Sequence, residues 1–198
     1  MATLTWGCTC GQVRGTARDI HPGDGARAVC MCADCQAFLT HLGREDLLDR
    51  WRGTDVFPIT PDRLTLESGH EHLRCLRLSD KGMFRFYAAC CHTPLGNTLG
   101  PKVPFVGVPT AALRPPEGQD LDQVLGPVRA RMQAHAVPNA PPEAGHQKAP
   151  LSIILRSIAF MARAALGRRH QPSPFRSADG TLRVAPRVLT PTERAALG

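Results

Sequence analysis

Eight cysteines decide most of what this chain can become, and all of them fall in its first half: Cys8, Cys10, Cys30, Cys32, Cys35, Cys75, Cys90 and Cys91. Seven form three tight groups, Cys8-Thr9-Cys10-Gly11, Cys30-Met31-Cys32-Ala33-Asp34-Cys35 and Cys90-Cys91. The opening residues Met1 to Trp6 show neither a basic stretch nor an apolar run, so no secretory signal is expected and the protein is expected in the cytoplasm. In that reducing setting, clustered thiols point to metal ligation rather than disulfides. Thiolate is the ligand that zinc retains best, and four of them close a tetrahedral structural site. Short spacings let one turn present two or three sulfurs, and Gly11 frees the backbone where the chain must turn. Seven clustered cysteines divide into four plus three. Cys75, standing alone, reads as a small apolar core residue.

The cysteine-free remainder marks a compositional boundary near Pro115-Pro116-Glu117-Gly118. Before it the chain reads as strands, at 3–6, 12–17, 27–30, 56–60, 63–67, 72–78, 83–88 and 103–108, with a turn at Asp80-Lys81-Gly82 and a helical turn near 47–49. With 18 Gly and 18 Pro, short strands and many turns are favoured over a helical bundle. The expected class is therefore mainly β over residues 1–112, followed by a helical extension over 113–198. In that extension 120–133 is a broken helix candidate and 138–150 a Pro/Ala-rich linker. The best helix is 152–169, with Ile154, Leu155, Ile158, Met161, Ala162, Ala165 and Leu166 at helical spacing and Arg156 and Arg163 opposite. Docking of that stripe on the β domain is expected in preference to a membrane surface. The spacing Thr190-Pro191-Thr192-Glu193 predicts a capped short helix over 191–197.

The formal charge of +7 is spread without a Lys/Arg run that would track phosphates, and stacking aromatics are few, so nucleic acid is not expected as a partner. No stretch is long and apolar enough to cross a bilayer, so no membrane partner is expected either. The sequence leaves the oligomeric state open.

The run Trp6-Gly7-Cys8-Thr9-Cys10-Gly11-Gln12-Val13-Arg14-Gly15 resembles the opening of the glutathione-dependent formaldehyde-activating enzyme family, the CENP-V/GFA domain family. The Cys30-x-Cys32-x-x-Cys35 triplet follows in order, and Cys91-His92-Thr93-Pro94-Leu95 is similar to the family's late Cys-Gly-Thr/Ser-Pro-Leu element. The resemblance covers about residues 4 to 108. It implies an Mss4-like zinc-binding β-sheet domain with two zinc ions, a structural one on the first and late pairs and a second on the triplet. It further implies a carbon–sulfur lyase, joining glutathione to formaldehyde or a related small carbonyl. Cys30, Cys32 and Cys35 would then be the catalytic metal ligands. The chain departs from the family at Ala88, where a cysteine is usual, and at Met31, where a histidine is common. Cys90 is the obvious replacement ligand, though adjacent Cys90 and Cys91 can share an ion only on an irregular backbone; otherwise His92, at a family glycine, would complete the site.

On that reading the triplet zinc keeps one position open for a thiol. Were the site closed instead, His41, His92 or Cys75 could supply its fourth ligand. Asp34 is the nearest proton relay, or simply a turn residue. Arg27, Arg44 or Arg77 could hold glutathione's carboxylates, and His70 and His72 read as loop residues. The alternative is a non-catalytic module in which both ions are structural and the helical extension binds a partner.

Overall fold

The computed structural model describes residues 1–23 and 25–198, and it is mainly β. The chain runs β1 (Ala2–Gly7), β2 (Arg14–Ile20), β3 (Ala28–Cys30), α1 (Ala33–His41), β4 (Thr54–Ile59), β5 (Leu64–Ser68), β6 (Leu73–Arg77) and β7 (Phe84–Ala88). It continues through β8 (Pro94–Thr98), β9 (Val106–Pro109), β10 (Leu113–Arg114), α2 (Leu121–Leu125), β11 (Ala130–Met132), α3 (Leu151–Leu166), β12 (Pro186–Val188) and α4 (Pro191–Ala195). Two sheets form, one in the order β10-β1-β2-β5 and a larger one in the order β11-β3-β4-β9-β8-β7-β6-β12.

Alternation along β1 sends Leu4 and Trp6 inward and leaves Thr3 and Thr5 outside, as a half-buried strand requires. Those residues meet Phe57, Ile59, Phe86, Leu95, Val106 and Val108 in the main core. Trp6 is fully buried, and its indole N–H donates to Leu95 O at 3.0 Å, so no donor is stranded. Gly15 is obligatory where β2 meets β5, since a Cβ there would lie 2.0 Å from Thr65 O.

The expected division at residue 112 is not a boundary of the sheets. Three edge positions come from beyond it: β10 pairs with β1, while β11 and β12 add in parallel to β3 and β6. Ending the sheets on strands of two or three residues keeps the exposed ladders at those edges short. Phe175 goes deeper, lying fully buried and stacked on Phe86 at 4.0 Å and edge-on to Trp6 at 5.7 Å. The expected linker over 138–150 is held against the body instead, with Ala144 fully buried and His146 N–H donating to Arg131 O. The helix candidate at 120–133 shrinks to α2, because Gly126 and Pro127 end it and the chain then extends into β11.

The sequence reading missed α1 and β8, as well as the short edge strands β10, β11 and β12. Residues 33–41 fold as α1, capped by Cys32, and Pro94-Leu95-Gly96-Asn97-Thr98 forms a fully buried central strand. The expected capped helix at the C-terminal end forms as α4, with the reciprocal Thr190–Glu193 hydrogen bonds in place.

Helix α3 docks, but not by the expected stripe. Ile153, Phe160 and Ala164 face the body, whereas Leu151, Ile154, Leu155, Ile158 and Leu166 are exposed, Leu166 at 88% and Leu155 at 57%. The helix is apolar around most of its circumference, so periodicity could not tell which face would be covered. Among the described residues no helix is long and apolar enough to cross a membrane.

Candidate metal centres

The first two cysteines sit where β1 leaves its sheet and turns toward β2. Cys8 N–H donates to Val13 O, Gly11 N–H donates back to Cys8 O, and Gly11 adopts a φ of +79° that suits glycine. This knuckle brings the Sγ atoms of Cys8 and Cys10 to 3.4 Å of each other. Val13 N–H donates to Cys8 Sγ at 3.2 Å.

The late pair occupies the turn between β7 and β8. His92 N–H donates to Ala88 O at 2.8 Å and Ala88 N–H to Thr93 O at 2.9 Å, which curls residues 88–93 into a tight loop. His92 has a φ of +54°, a left-handed conformation that glycine adopts without strain. The irregular turn overcomes the divergence expected of adjacent side chains. Cys90 Sγ lies 3.7 Å from Cys8 Sγ, 3.4 Å from Cys10 Sγ and 4.0 Å from Cys91 Sγ. His92 is turned away, its Nδ1 3.0 Å from Leu42 O, so it is not the fourth member of this set.

All four sulfurs lie within 4.8 Å of one another. A tetrahedral ion with metal–sulfur bonds of about 2.3 Å separates its ligands by about 3.8 Å, close to the spacings found. Cys91 is further supported by the hydroxyls of Thr93 at 3.1 Å and Thr9 at 3.4 Å. Although burial opposes its ionisation, those hydroxyls hold the Cys91 thiol down to about 5, while burial pushes Cys90 up.

The second cluster is local. Cys30 ends β3, Cys32 caps α1 by accepting from Cys35 N–H at 3.4 Å, and Cys35 lies in the first helical turn. Their sulfurs also lie within 4.8 Å of one another. Hydrogen bonds from Cys30 and Cys35 hold Cys32 down to about 2, so one thiolate is shared by two thiols. The same sharing pushes Cys30 up to about 11 and Cys35 well above its ordinary value. The positive end of α1 and the guanidinium of Arg85, only 3% exposed, add to the stabilisation of negative charge here.

Neither His41, His92 nor Cys75 reaches this cluster, which has three members among the described residues. Cys75 packs in the main core, and burial pushes its thiol up to about 12. Met31 is fully buried, so the side chain between the first two ligands points into the interior. In place of a fourth ligand, the three cysteines border a cavity of about 310 Å³. Its polar lining includes Asp34, Arg85 and Asn97. Asp34 lies 3.5 Å from Arg85 and 3.3 Å from Arg194, which reaches it from α4.

The arginines singled out from the sequence are engaged elsewhere. Arg27 is buried against Asp55 and Asp122, Arg44 pairs with Asp46 beside Cys91, and Arg77 donates to Gly82 O. His72 faces Glu71, and His70 lies apart from both clusters. Arg85 was missed because its proximity to the triplet arises from the packing of α1 on β7, some fifty residues later in the chain.

Both donor sets can hold a metal ion, and an all-sulfur set suits zinc without identifying it. Residues 2–185 match the model of a family of unknown function, DUF6151. The chain belongs to that family. No curated protein matches the chain. The DUF6151 match extends well past the cysteine-bearing segment, through α3 and Phe175, and ends just before β12.

Proposed function

We propose that this protein holds two zinc ions in an Mss4-like domain and acts as a carbon–sulfur lyase of the glutathione-dependent formaldehyde-activating type. One ion is structural, on Cys8, Cys10, Cys90 and Cys91. The other is held by Cys30, Cys32 and Cys35 and keeps a position for a thiol such as glutathione. The observation that carries this reading is that three converged sulfurs border a cavity where a fourth ligand would otherwise close the set. The eight unpaired thiols favour a cytoplasmic setting.

Zinc, when bound, lowers the pKa of a thiol and orients it as a thiolate. Three thiolates around a divalent cation carry one net negative charge, which Arg85 and the α1 N-terminus offset. A thiol joining them adds a second, and Arg194 at the rim strengthens the compensation. In the forward direction the thiol sulfur bonds to the carbonyl carbon, the C=O π bond opens, and the thiol proton finishes on the new hydroxyl oxygen. Nothing is oxidised or reduced. Asp34, which borders the cavity and pairs with Arg85 and Arg194, would pass that proton.

A second reading is favoured by one observation, the exposed apolar face of α3. In it both ions are structural and Leu151, Ile154, Leu155 and Ile158 meet a partner. NMR exchange among glutathione, formaldehyde and their adduct separates the two. The lyase reading expects acceleration by zinc-loaded protein and its loss in Cys32→Ser. No acceleration at micromolar protein leaves the structural module.

A further inference from the structure

The cavity beside the triplet is far larger than a one-carbon carbonyl requires. Beyond the cysteines its wall is built from Ala28, Val56, Met83, Met132 and Ile153, and it adjoins a second cavity of about 240 Å³ beneath α3. The two share Ala26, Pro58, Phe105 and Ser157, and the second is closed by Phe160 and Met161. The result is an apolar groove that starts at three cysteine sulfurs and runs under the helix. Small-molecule sites typically enclose about 300–1,000 Å³, so the groove has the size of a binding site rather than of a packing defect.

Charge is confined to the cysteine end. Arg85 is the one cationic side chain bordering either cavity among the described residues, and it already pairs with Asp34. A thiol with a polar body, such as glutathione, finds its partners at this rim, near Asp34, Arg85 and Arg194, and nothing further along. The groove contains one more telling group. Asn97 is 7% exposed and borders the same cavity, yet its Oδ1 has no hydrogen-bond partner among the described residues. A buried acceptor left in this state costs about 1–3 kcal/mol, and because Oδ1 itself is not open to the cavity a guest hydroxyl relieves it only once the Asn97 amide turns toward the groove.

We infer that the groove takes the apolar chain of the carbonyl partner. The substrate would be an aldehyde with a hydrocarbon tail, and Asn97 Oδ1 would accept the hydroxyl of its thiol adduct. This rests on the lyase reading for the identity of the head group, while the groove itself does not depend on it. The tail lies against α3, the adduct carbon stands between the thiol sulfur and Asn97, and the product is a longer relative of S-hydroxymethylglutathione. The chemistry balances as for formaldehyde: one C–S bond forms, the C=O π bond opens, and the thiol proton ends on oxygen.

Straight-chain alcohols from butanol to decanol test the groove without any thiol chemistry. Titrated calorimetrically into zinc-loaded protein, they should bind about fourfold more tightly for each added methylene until the groove is full. Ser157→Phe places a ring where the two cavities meet and should abolish that chain-length gain with the metal content unchanged. Should Ser157→Phe fail to fold, Ser157→Leu provides a smaller obstruction at the same place. Asn97→Ala should weaken every alcohol by about fivefold, independent of length. A flat response to chain length, or an unaltered gain in a folded position-157 variant, overturns the inference. NMR exchange with glutathione then tests the head group: octanal should turn over faster than formaldehyde. If alcohols bind as expected while no aldehyde exchanges, the lyase reading fails and the groove remains a site for an apolar guest. Formaldehyde outpacing octanal overturns the aldehyde-tail assignment itself.

Discussion

Sulfur is the donor in both cysteine clusters, but the chain brings it there by opposite routes. Cys8 and Cys10 leave β1 in one sheet, and Cys90 and Cys91 sit in the β7–β8 turn of the other, so the four-sulfur set ties together segments some eighty residues apart. Cys30, Cys32 and Cys35 come from one strand end and the first turn of α1, six consecutive positions in all. Closing a long loop removes more freedom from the unfolded chain than fixing a short one. An ion at the first site would therefore clamp the two sheets together, whereas an ion at the second would join only neighbouring residues and, on the lyase reading, serve a guest.

The largest expected effect follows directly. Cys10→Ser should abolish cooperative folding of the whole chain, followed by circular dichroism on heating, because apparent binding energies for structural zinc of about 10–16 kcal/mol match or exceed a domain's total stability. The loss should not stop at residue 112, since Phe175, β11 and β12 share the core and sheets of the first half. A variant that keeps a sharp transition near the original temperature would break the distinction between clamp and site.

Cys32→Ser should do less. Serine is as good an N-cap as this position can have, so the hydrogen bond to Cys35 N–H survives and α1 stays anchored. Metal analysis should fall from about two ions per chain to about one, with the folding transition lowered by only a few degrees and glutathione exchange lost. Collapse of the fold in this variant would make both clusters structural.

How much of this was legible in the sequence depended on how far each feature reaches. The grouping of sulfurs was, because spacings within Cys8–Cys10 and Cys30–Cys35 constrain geometry over a few residues. The strands with alternating patterns, such as β1, were also visible. Residues 94–98 were not: Pro94, Gly96 and Asn97 are poor strand formers, and they are held extended by pairing on both sides, with Gly96 leaving room for the Phe175 ring. The short edge strands β11 and β12 likewise exist only because β3 and β6 offer open ladders. Helix α1 was hidden behind its own cysteines, whose motif drew attention from Ala33-Asp34-Cys35-Gln36-Ala37, a good helical run. The groove could not be read at all, because its walls come from β3, β4, β7, β8, β9, β11, α1 and α3 at once.

Acid sharpens the comparison next. Metal needs thiolates, and the triplet without metal holds one negative charge on Cys32 and protons on Cys30, near 11, and Cys35, held higher than usual. Binding must expel two protons, so affinity should rise with pH and fall with acid by up to about a hundredfold per unit around neutrality. At the four-sulfur clamp, acid must act against an ion whose ligands are also joined through both sheets. Zinc released to a chromogenic chelator between pH 7.5 and 5.5 should therefore appear in two steps, the triplet first. A single step would mean that the two sites are not independent.

The smallest effect separates the clusters without touching a ligand. Thr93 is fully buried; its hydroxyl lies 3.1 Å from Cys91 Sγ and accepts Thr9 N–H at 3.0 Å, so it both steadies a thiolate and joins the two knuckles. Thr93→Val keeps the shape but removes both interactions, letting the Cys91 thiol rise from about 5 toward its ordinary value. Outer groups of this kind change metal affinity by about 10–100-fold, and the lower end is expected here because Thr9 still reaches Cys91 at 3.4 Å. Competition with a chelator should show that loss at the clamp alone, leaving the triplet's affinity as it was. If the triplet weakens equally, strain at the β7–β8 turn is passing through Arg85 and its strand to Cys32, and the two centres would have to be treated as one coupled system.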